Sequence, residues 1–444
     1  MVSLHQRRVA SSAPTPPRAV VVVRNLEIAV PSIDCRTRRA GVDPLIDPTT
    51  FLNEVAEVVE HHGADAAEAL ERRSLPPLTL EVAGQPVSFH TEHGLLRVDG
   101  HAKDALVVEL DRAGFSDLLQ DTASTFGLQM QGRALVRAGR AEDFLAWEPL
   151  LRSALDGRPV HRPGSIDLVG DDGREIQLER TFHRDDDRDE MGAFLAQVGY
   201  LHVAGVFTDA EMAEVSADMD AAIAAASRDD GSSWWARTKD QGWYPARILG
   251  FNHRSPALRE LLEDDRFTML GTLTDDPMVQ RDPFETDAAE ALLKKVGVIE
   301  GISDVVWHKD CAMGGHSRRC SGLTVGLSVT GAGPTNGELG VVAGSHRSNV
   351  APLGVDGVDL PRIAVPTRTG DVTVHCSCTL HMSRPPVSEE RRVVYSGFAL
   401  TPLAGDHVVE RDPTEARRER QELNGLSREL RLRPDTSTIS FELD

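Results

Sequence analysis

The first half of the chain alternates between helical and strand-like spacing of its apolar residues. Over residues 51–73 the apolar positions fall on one face of a helix, which predicts an amphipathic helix. Between residues 78 and 110 the period changes, and short runs interrupted by glycines are typical of β-strands. Helical spacing returns from about Phe115 and again over residues 144–155. We therefore expect an α+β domain, in which helices cover a small sheet.

The second half begins with one helix and continues as strands and turns. Residues 199–203 form a strand candidate, and Thr208-x-x-Glu211 is a capping box that predicts the start of an amphipathic helix. From Leu323 onward, short strand-like runs alternate with turn residues. Asn336-Gly337 predicts a hairpin between two of these runs. Several short strands separated by turns favour a jelly-roll sheet.

Composition divides the chain into four parts. Residues 1–18 are polar and contain prolines, which favours a disordered tail. Residues 161–190 carry glycines, prolines and a run of charges, as a linker does. The smaller α+β domain is therefore predicted over residues 19–160 and a second domain over 191–444. A chain of 444 residues is long enough for two hydrophobic cores.

Charge and composition exclude several classes of partner. The net charge of −21 argues against nucleic acid and anionic membranes as partners, because both bind to a basic face. No apolar run approaches the roughly 18 residues that span a bilayer, so we expect a cytoplasmic protein. Only five of the 48 basic residues are lysines, a bias typical of GC-rich bacterial genomes. The five cysteines are scattered and odd in number, which favours thiols over a disulfide framework; they are Cys35, Cys311, Cys320, Cys376 and Cys378.

A candidate metal site begins at His308-Lys309-Asp310. In an extended segment residues i and i+2 point to one face, so His308 and Asp310 can bind the same ion. His381, near the end of the strand-rich region, offers a second imidazole. Two imidazoles and one carboxylate on one face of an octahedral ion leave the opposite face open for other ligands. Arg392, eleven residues after His381, offers paired donors that suit a carboxylate.

Other histidines compete for these positions. His375 lies six residues before His381 and is the alternative ligand, although the serine and arginine that follow His381 favour the latter. His346 follows Gly344-Ser345 in a turn and is interpreted as structural. His316 follows a glycine in a loop, where it is either a plain loop residue or one that a substrate approaches.

These residues carry a resemblance to the phytanoyl-CoA dioxygenase family over about residues 191–403. The matching segments, in order, are GYLHVAGVF at 199–207, WHKD at 307–310, NGELGVVAGSHR at 336–347 and the stretch 370–392. Their order and spacing agree across nearly half of the chain. The resemblance implies a double-stranded β-helix, a form of jelly roll, with helical support.

The resemblance also implies the cofactors and the residues that hold them. It assigns His308, Asp310 and His381 to Fe(II), and Arg392 with Ser383 to the far carboxylate of the co-substrate 2-oxoglutarate. Dioxygen would be the third reactant. Two departures from the family pattern are expected to reshape the co-substrate's edge of the pocket. Met382 replaces the glycine that many members have, and Pro385-Pro386 lies where an asparagine is common.

The implied reaction hydroxylates or otherwise oxidises a C–H bond while 2-oxoglutarate becomes succinate and carbon dioxide. Asp310 favours this outcome over chlorination, because related halogenases keep that position small for the halide. Two alternatives are a non-enzymatic lipid-binding protein with a degenerate oxygenase fold and a zinc hydrolase with the same ligands. The intact ligand set opposes the first, and Arg392 has no role in the second.

Two further features concern the substrate. The aromatic cluster before the metal motif predicts either a pocket lid or packing under a loop; it comprises Trp234, Trp235, Trp243 and Tyr244. Residues 78–155 resemble sterol-carrier-protein-like domains, which implies an apolar substrate or a dimerisation module. We therefore expect a small, largely apolar substrate, such as a lipid, terpenoid, steroid or polyketide. If residues 78–155 are a dimerisation module, the chain is expected to form a homodimer.

Overall fold

The computed structural model describes residues 45–100, 103–170, 172–275, 278–301, 305–312 and 322–400. The predicted tail at 1–18, Cys35, Cys320 and His316 therefore lie outside the described residues, as does the end of the second predicted domain after residue 400. The domain boundaries stay a prediction.

The first hydrophobic core is formed by one sheet and the helices packed on it. Its strands are β1 Leu78–Val82, β2 Gln85–Glu92, β3 Leu95–Asp99, β4 Leu106–Leu110 and β5 Ala134–Ala138. Its helices are α1 Pro48–Thr50, a π-helical turn Phe51–Val55, α2 Ala56–Arg73, α3 Arg112–Leu119, α4 Thr125–Met130 and α5 Ala141–Asp156. The strand order is β3-β2-β1-β4-β5. Each predicted helix and strand of this region is present.

The second core is formed by two sheets and four helices. The large sheet contains β6 Phe182–His183, β7 Tyr200–Ala204, β8 Ser233–Thr238, β9 Gly242–Ile248, β10 Met278–Gln280, β11 Glu290–Lys294, β12 Val298–Glu300, β14 Leu323–Ser328, β17 Val372–Cys376 and β19 Arg391–Leu400. The small sheet contains β13 Val305–His308, β15 Leu339–Val342, β16 Arg362–Val365 and β18 His381–Ser383. The helices are α6 Arg188–Val198, α7 Asp209–Ala225, α8 Pro256–Glu263 and α9 Asp265–Thr268. Short 3₁₀ helices are Phe251–His253, Met269–Thr272, Asp310–Ala312 and Ser345–Arg347.

The sheet order matches a double-stranded β-helix. The large sheet runs β12-β8-β9-β11-β19-β14-β17-β7-β6, with β10 also beside β19, and the small sheet runs β13-β18-β15-β16. Leu327 of the large sheet and Val341 of the small sheet belong to one continuous core, which also includes Met212 of α7. The predicted α+β class and jelly-roll architecture are confirmed. None of the described helices is both long and apolar enough to cross a membrane.

The side chains of strand β19 alternate between the two faces of the large sheet. Its residues Val394 and Phe398 join the core on the helical side, where the Phe398 ring stacks on Phe267 with centroids 5.3 Å apart. Because side chains alternate along a strand, odd-numbered residues of β19 point to the opposite face. Thr324 of β14 pairs with Gly397 and shares that opposite face. This inner face carries the groups described below.

The aromatic cluster forms part of the large sheet. β8 and β9 pair as antiparallel neighbours, and they carry Trp234, Trp235, Trp243 and Tyr244. Trp234 and Tyr244 are buried, and Tyr244 packs in a small core with Leu293 of β11. These contacts favour the packing interpretation over a lid.

The Asn336-Gly337 turn does not form the predicted hairpin. The preceding strand β14 pairs with β17 and β19, whereas the following strand β15 pairs with β16 and β18. The turn therefore carries the chain from the large sheet to the small one. A turn motif indicates that the chain reverses, but it does not determine which strand pairs with the next. Gly337 has a φ of 80°, and the carbonyl of Arg384 occupies the space a Cβ would need.

Replacing Gly337 with alanine should therefore destabilise the second core by about 2–4 kcal/mol, through strained backbone and displacement of Arg384. Urea unfolding measures this loss. Gly333→Ala in the same turn is the matched control, because no atom lies within 4 Å of its added Cβ. Equal losses in both variants would contradict the explanation.

Candidate metal centre

Three side chains converge where β13 and β18 meet. His308 ends β13 and pairs directly with His381 at the start of β18. Asp310 opens the 3₁₀ turn that follows β13. The ligand atoms of these three residues all lie within 4.8 Å of one another. The structure thus brings the predicted histidines and carboxylate together.

The backbone orients both imidazoles. His308 Nδ1 lies 2.7 Å from the carbonyl oxygen of Val306, and His381 Nδ1 lies 2.9 Å from that of Thr379. Each Nδ1–H donates to its carbonyl, so each Nε2 has a free lone pair whenever its ring is neutral. The two Nε2 atoms face Asp310 Oδ1, at 3.2 Å from His308 and 3.4 Å from His381. These bonds set the tautomer that a metal ligand needs.

The two oxygens of Asp310 have different surroundings. Oδ1 faces the imidazoles, whereas Oδ2 accepts a hydrogen bond from Thr324 Oγ1 at 2.7 Å and lies 3.3 Å from His375 Nε2. Thr324 and His375 belong to the large sheet, and they fix the carboxylate from behind. Oδ1 is therefore the oxygen that an ion would meet. Thr324 could not be predicted from the sequence, because only strand pairing shows which residue of β14 lies next to Asp310.

The alternative ligand His375 lies in the same group. Its ring centroid is 4.1 Å from that of His381, and it is 1% exposed. Its Nδ1 is buried and has no hydrogen-bond partner among the described residues. No carbonyl fixes its tautomer, in contrast to His308 and His381. This difference favours His381 as the ligand and His375 as a support for Asp310.

Burial and mutual charge set the protonation of this group. Burial alone would raise the pKa of Asp310, but the charge of His381 and hydrogen bonds from the histidines hold that pKa well below its usual range. Burial also lowers the pKa of His375 to about 4, with a further contribution from His381. Burial opposes the charged form of His381, but Asp310 outweighs it and raises the pKa of His381. Asp310 is therefore ionised and His375 neutral at neutral pH.

The donor set suits a divalent iron. Two imidazole nitrogens and one carboxylate oxygen form the facial triad that non-haem Fe(II) uses. Each donor is already oriented by a second group, as is typical of metal ligands. The three residues therefore fit Fe(II) in the chemical type of their donor atoms and in the tautomer of their imidazoles.

The structure does not bring Arg392 to this group. Arg392 lies on the helical side of β19, where Nη1 donates to Ser216 Oγ at 2.9 Å and Nη2 lies 2.8 Å from Asp220 Oδ1. Both partners belong to α7. The predicted arginine therefore contacts a supporting helix, and the neighbouring Arg391 takes the inner position.

Arg391 and Lys294 meet at the predicted Ser383. Arg391 is 4% exposed, and its Nη1 donates to the carbonyl of Gly337 at 2.6 Å and to Ser383 Oγ at 3.3 Å. Lys294 is 1% exposed, pairs directly with Arg391 across β11 and β19, and donates to Ser383 Oγ at 2.7 Å. Ser383 lies two residues after His381 on β18 and shares its face. Two buried cations thus lie on the side of the centre where an anion was expected.

His346 lies outside the cluster. Its Nε2 donates to the carbonyl of Ala196 in α6 at 2.9 Å. This contact agrees with the structural interpretation.

Residues 195–394 match the family model described as phytanoyl-CoA dioxygenase (PhyH). No curated protein sequence matches the chain.

Several solved structures are similar to about half of the chain. AviO1 from Streptomyces viridochromogenes Tue57 is 24% identical, with 49% of this chain and 96% of that chain covered and a TM-score of 0.40. The non-heme alpha ketoglutarate dependent epimerase SnoN from nogalamycin biosynthesis is 20% identical, with 51% and 92% covered and a TM-score of 0.39. EctD from S. alaskensis with bound Fe is 20% identical, with 53% and 85% covered and a TM-score of 0.41.

Removing the hydroxyl that fixes Asp310 should weaken metal binding. We expect Thr324→Val to lower the affinity for Mn(II) by about tenfold or more, because groups that orient a ligand typically contribute 10–100-fold. Thr324→Ser keeps the hydroxyl and should stay close to the parent. Mn(II) titration followed by electron paramagnetic resonance measures both. An unchanged affinity in Thr324→Val would contradict the role of this bond.

Proposed function

Since residues 195–394 belong to the phytanoyl-CoA dioxygenase family, we propose that the chain is an Fe(II)- and 2-oxoglutarate-dependent oxygenase that hydroxylates a small molecule. The observation that carries the proposal is the group formed by His308, Asp310 and His381, with two oriented imidazoles facing one carboxylate oxygen. We assign the three residues to the iron. His375 and Thr324 hold the other oxygen of Asp310.

We assign the far carboxylate of 2-oxoglutarate to Arg391 and Lys294, with Ser383 between them. Ser383 follows His381 by two residues, roughly 7 Å along the strand, which suits the length of a five-carbon diacid held at the iron by its other end. Arg391 offers paired donors, and its buried Nε has no partner among the described residues. Arg391 therefore replaces Arg392 in the assignment.

Iron held by these three residues would supply the activation of O2 needed to oxidise 2-oxoglutarate and a C–H bond of the substrate. The residues of the chain bind and orient the reactants. Arg391 and Lys294 neutralise the co-substrate's far carboxylate in a buried site, where water cannot compete for it. Thr324 and His375 prevent Asp310 from turning, so Oδ1 remains the ligand atom. The carboxylate of Asp310 also supports hydroxylation over halogenation.

We further propose a largely apolar substrate with a polar edge. Trp234 pairs with Arg247, Arg247 with Leu292, and Leu292 with Val393, so these side chains share the inner face with Arg391. The guanidinium of Arg247 lies 4.8 Å above the Trp234 ring. It also lies 3.1 Å from a carboxylate oxygen of Glu290. An aromatic surface beside an ion pair suits a hydroxylated terpenoid, steroid or polyketide. The resemblance of residues 78–155 to sterol-carrier-protein-like domains also supports a largely apolar substrate.

Anaerobic Fe(II) and 2-oxoglutarate together should give a weak visible charge-transfer band with the parent protein. His381→Ala should abolish this band, because it removes a ligand. His375→Ala is the matched control and should keep a band, since His375 only supports Asp310. Loss of the band in His375→Ala with retention in His381→Ala would reverse the ligand assignment.

The two neighbouring arginines should differ sharply in co-substrate binding. Arg391→Met should weaken 2-oxoglutarate binding by about 100-fold, the loss expected for a charge-assisted pair of about 3 kcal/mol. Arg392→Met removes contacts with α7 and an ion pair with Glu390, and it should change binding less than about threefold. Titration of the charge-transfer band with 2-oxoglutarate measures both. A larger loss in Arg392→Met would restore Arg392 as the anchor.

A further inference from the structure

Two cysteines lie beside two of the proposed ligands. Cys311 directly follows Asp310, and Cys378 precedes His381 by three residues. Their Sγ atoms are 3.8 Å apart. The backbone N–H of Cys311 donates to the carbonyl of Ser377 at 3.3 Å, so the two segments run side by side. The described cysteines form no disulfide.

We propose that Cys311 and Cys378 form a thiol pair that a peroxide closes into a reversible disulfide, and that this disulfide weakens metal binding. The covalent part depends only on the two thiols. The effect on metal binding rests on the proposed function, because it assumes that Asp310 and His381 are ligands.

The geometry of the pair suits closure. An S–S bond is about 2.05 Å long, so the sulfurs need to approach by roughly 1.8 Å, a movement within reach of side-chain rotation. Cys311 is partly exposed, whereas Cys378 is 4% exposed. A peroxide would therefore meet Cys311 first, and Cys378 is placed to complete the bond.

The reaction balances with hydrogen peroxide as the oxidant. The Cys311 thiol attacks one peroxide oxygen, the O–O bond breaks, and a sulfenic acid and one water form. The Cys378 thiol then attacks the oxidised sulfur, the S–O bond breaks, and the second water leaves as the S–S bond forms. Two thiols lose two hydrogens in total, and peroxide becomes two waters. A dithiol reductant reverses the reaction by exchange.

The bond would join the segment of Asp310 to that of His381. Metal-ligand distances tolerate only about 0.2 Å, so a small displacement of Asp310 is enough to weaken a site. Asp310 Oδ1 is shared between His308 at 3.2 Å and His381 at 3.4 Å, and a cross-link one residue away acts on this arrangement. Oxidation would therefore form a cross-link beside Asp310, where a small displacement has the largest effect on metal binding.

The chain also contains a matched control thiol. Cys376 is 3% exposed and lies two residues before Cys378. It belongs to the core on the helical side of β17, whereas its neighbour His375 faces the metal centre. Cys376→Ser therefore removes a buried thiol of the same segment without removing the pair.

The covalent part is tested on the full chain without metal. The protein is treated with hydrogen peroxide, alkylated and digested, and its peptides are analysed by mass spectrometry. We expect a peptide joining Cys311 to Cys378, which dithiothreitol separates and which persists in Cys376→Ser. Recovery of both cysteines as alkylated thiols, or as separate sulfinic acids, would overturn the proposal.

The second part is tested by Mn(II) titration before and after peroxide. We expect the oxidised parent to bind Mn(II) at least tenfold more weakly, with recovery after dithiothreitol. Cys311→Ser and Cys378→Ser should keep their Mn(II) affinity after the same treatment. A cross-linked protein with unchanged affinity would overturn the effect on the metal. Failure of the untreated parent to bind Mn(II) would instead contradict the proposed function and leave the peptide result intact.

Discussion

The whole centre depends on one carboxylate held between two sheets. Asp310 Oδ1 faces the imidazoles of His308 and His381, which belong to strands of the small sheet. Asp310 Oδ2 accepts a hydrogen bond from Thr324 of the large sheet. A buried carboxylate without such partners would be neutral, and a neutral acid is a poor ligand for a divalent cation. The contacts that keep Asp310 ionised also occupy Oδ2, so Oδ1 is the oxygen that can bind a metal ion. Orientation and charge thus have a common origin.

The alternation of side chains along β19 determines which of its two arginines reaches the proposed co-substrate site. Because adjacent residues of β19 face opposite sides, Arg391 enters the inner face and Arg392 is held by α7. Buried Arg391 donates to Ser383 and to the carbonyl of Gly337, and its Nε has no partner among the described residues. A carboxylate of the proposed co-substrate would give this guanidinium an anionic partner. Neighbouring residues of one strand therefore contact the supporting helix and line the proposed anion site.

Much of this could be predicted from sequence, for physical reasons. Local periodicity was sufficient for the first core, and the capping box at Thr208 and Glu211 does start α7. His308 and Asp310 do lie together as the spacing predicted, but Asp310 opens a 3₁₀ turn after β13, so the alternation of an extended strand is not what places it. Pairing between distant strands has no such local signature. The hairpin at Asn336-Gly337 and the choice between Arg391 and Arg392 both depended on it, as did the contact of Thr324 with Asp310.

We expect one ion to be bound by His308, Asp310 and His381, with 2-oxoglutarate extending towards Arg391. A crystal structure with Mn(II) and 2-oxoglutarate, with the metal located by anomalous scattering, tests it most directly. We expect a metal peak bonded to both Nε2 atoms and to Asp310 Oδ1, with His375 outside the coordination sphere. The far carboxylate should lie between Arg391 and Lys294. A metal bound by His375 in place of His381, or a co-substrate carboxylate on Arg392, would contradict it.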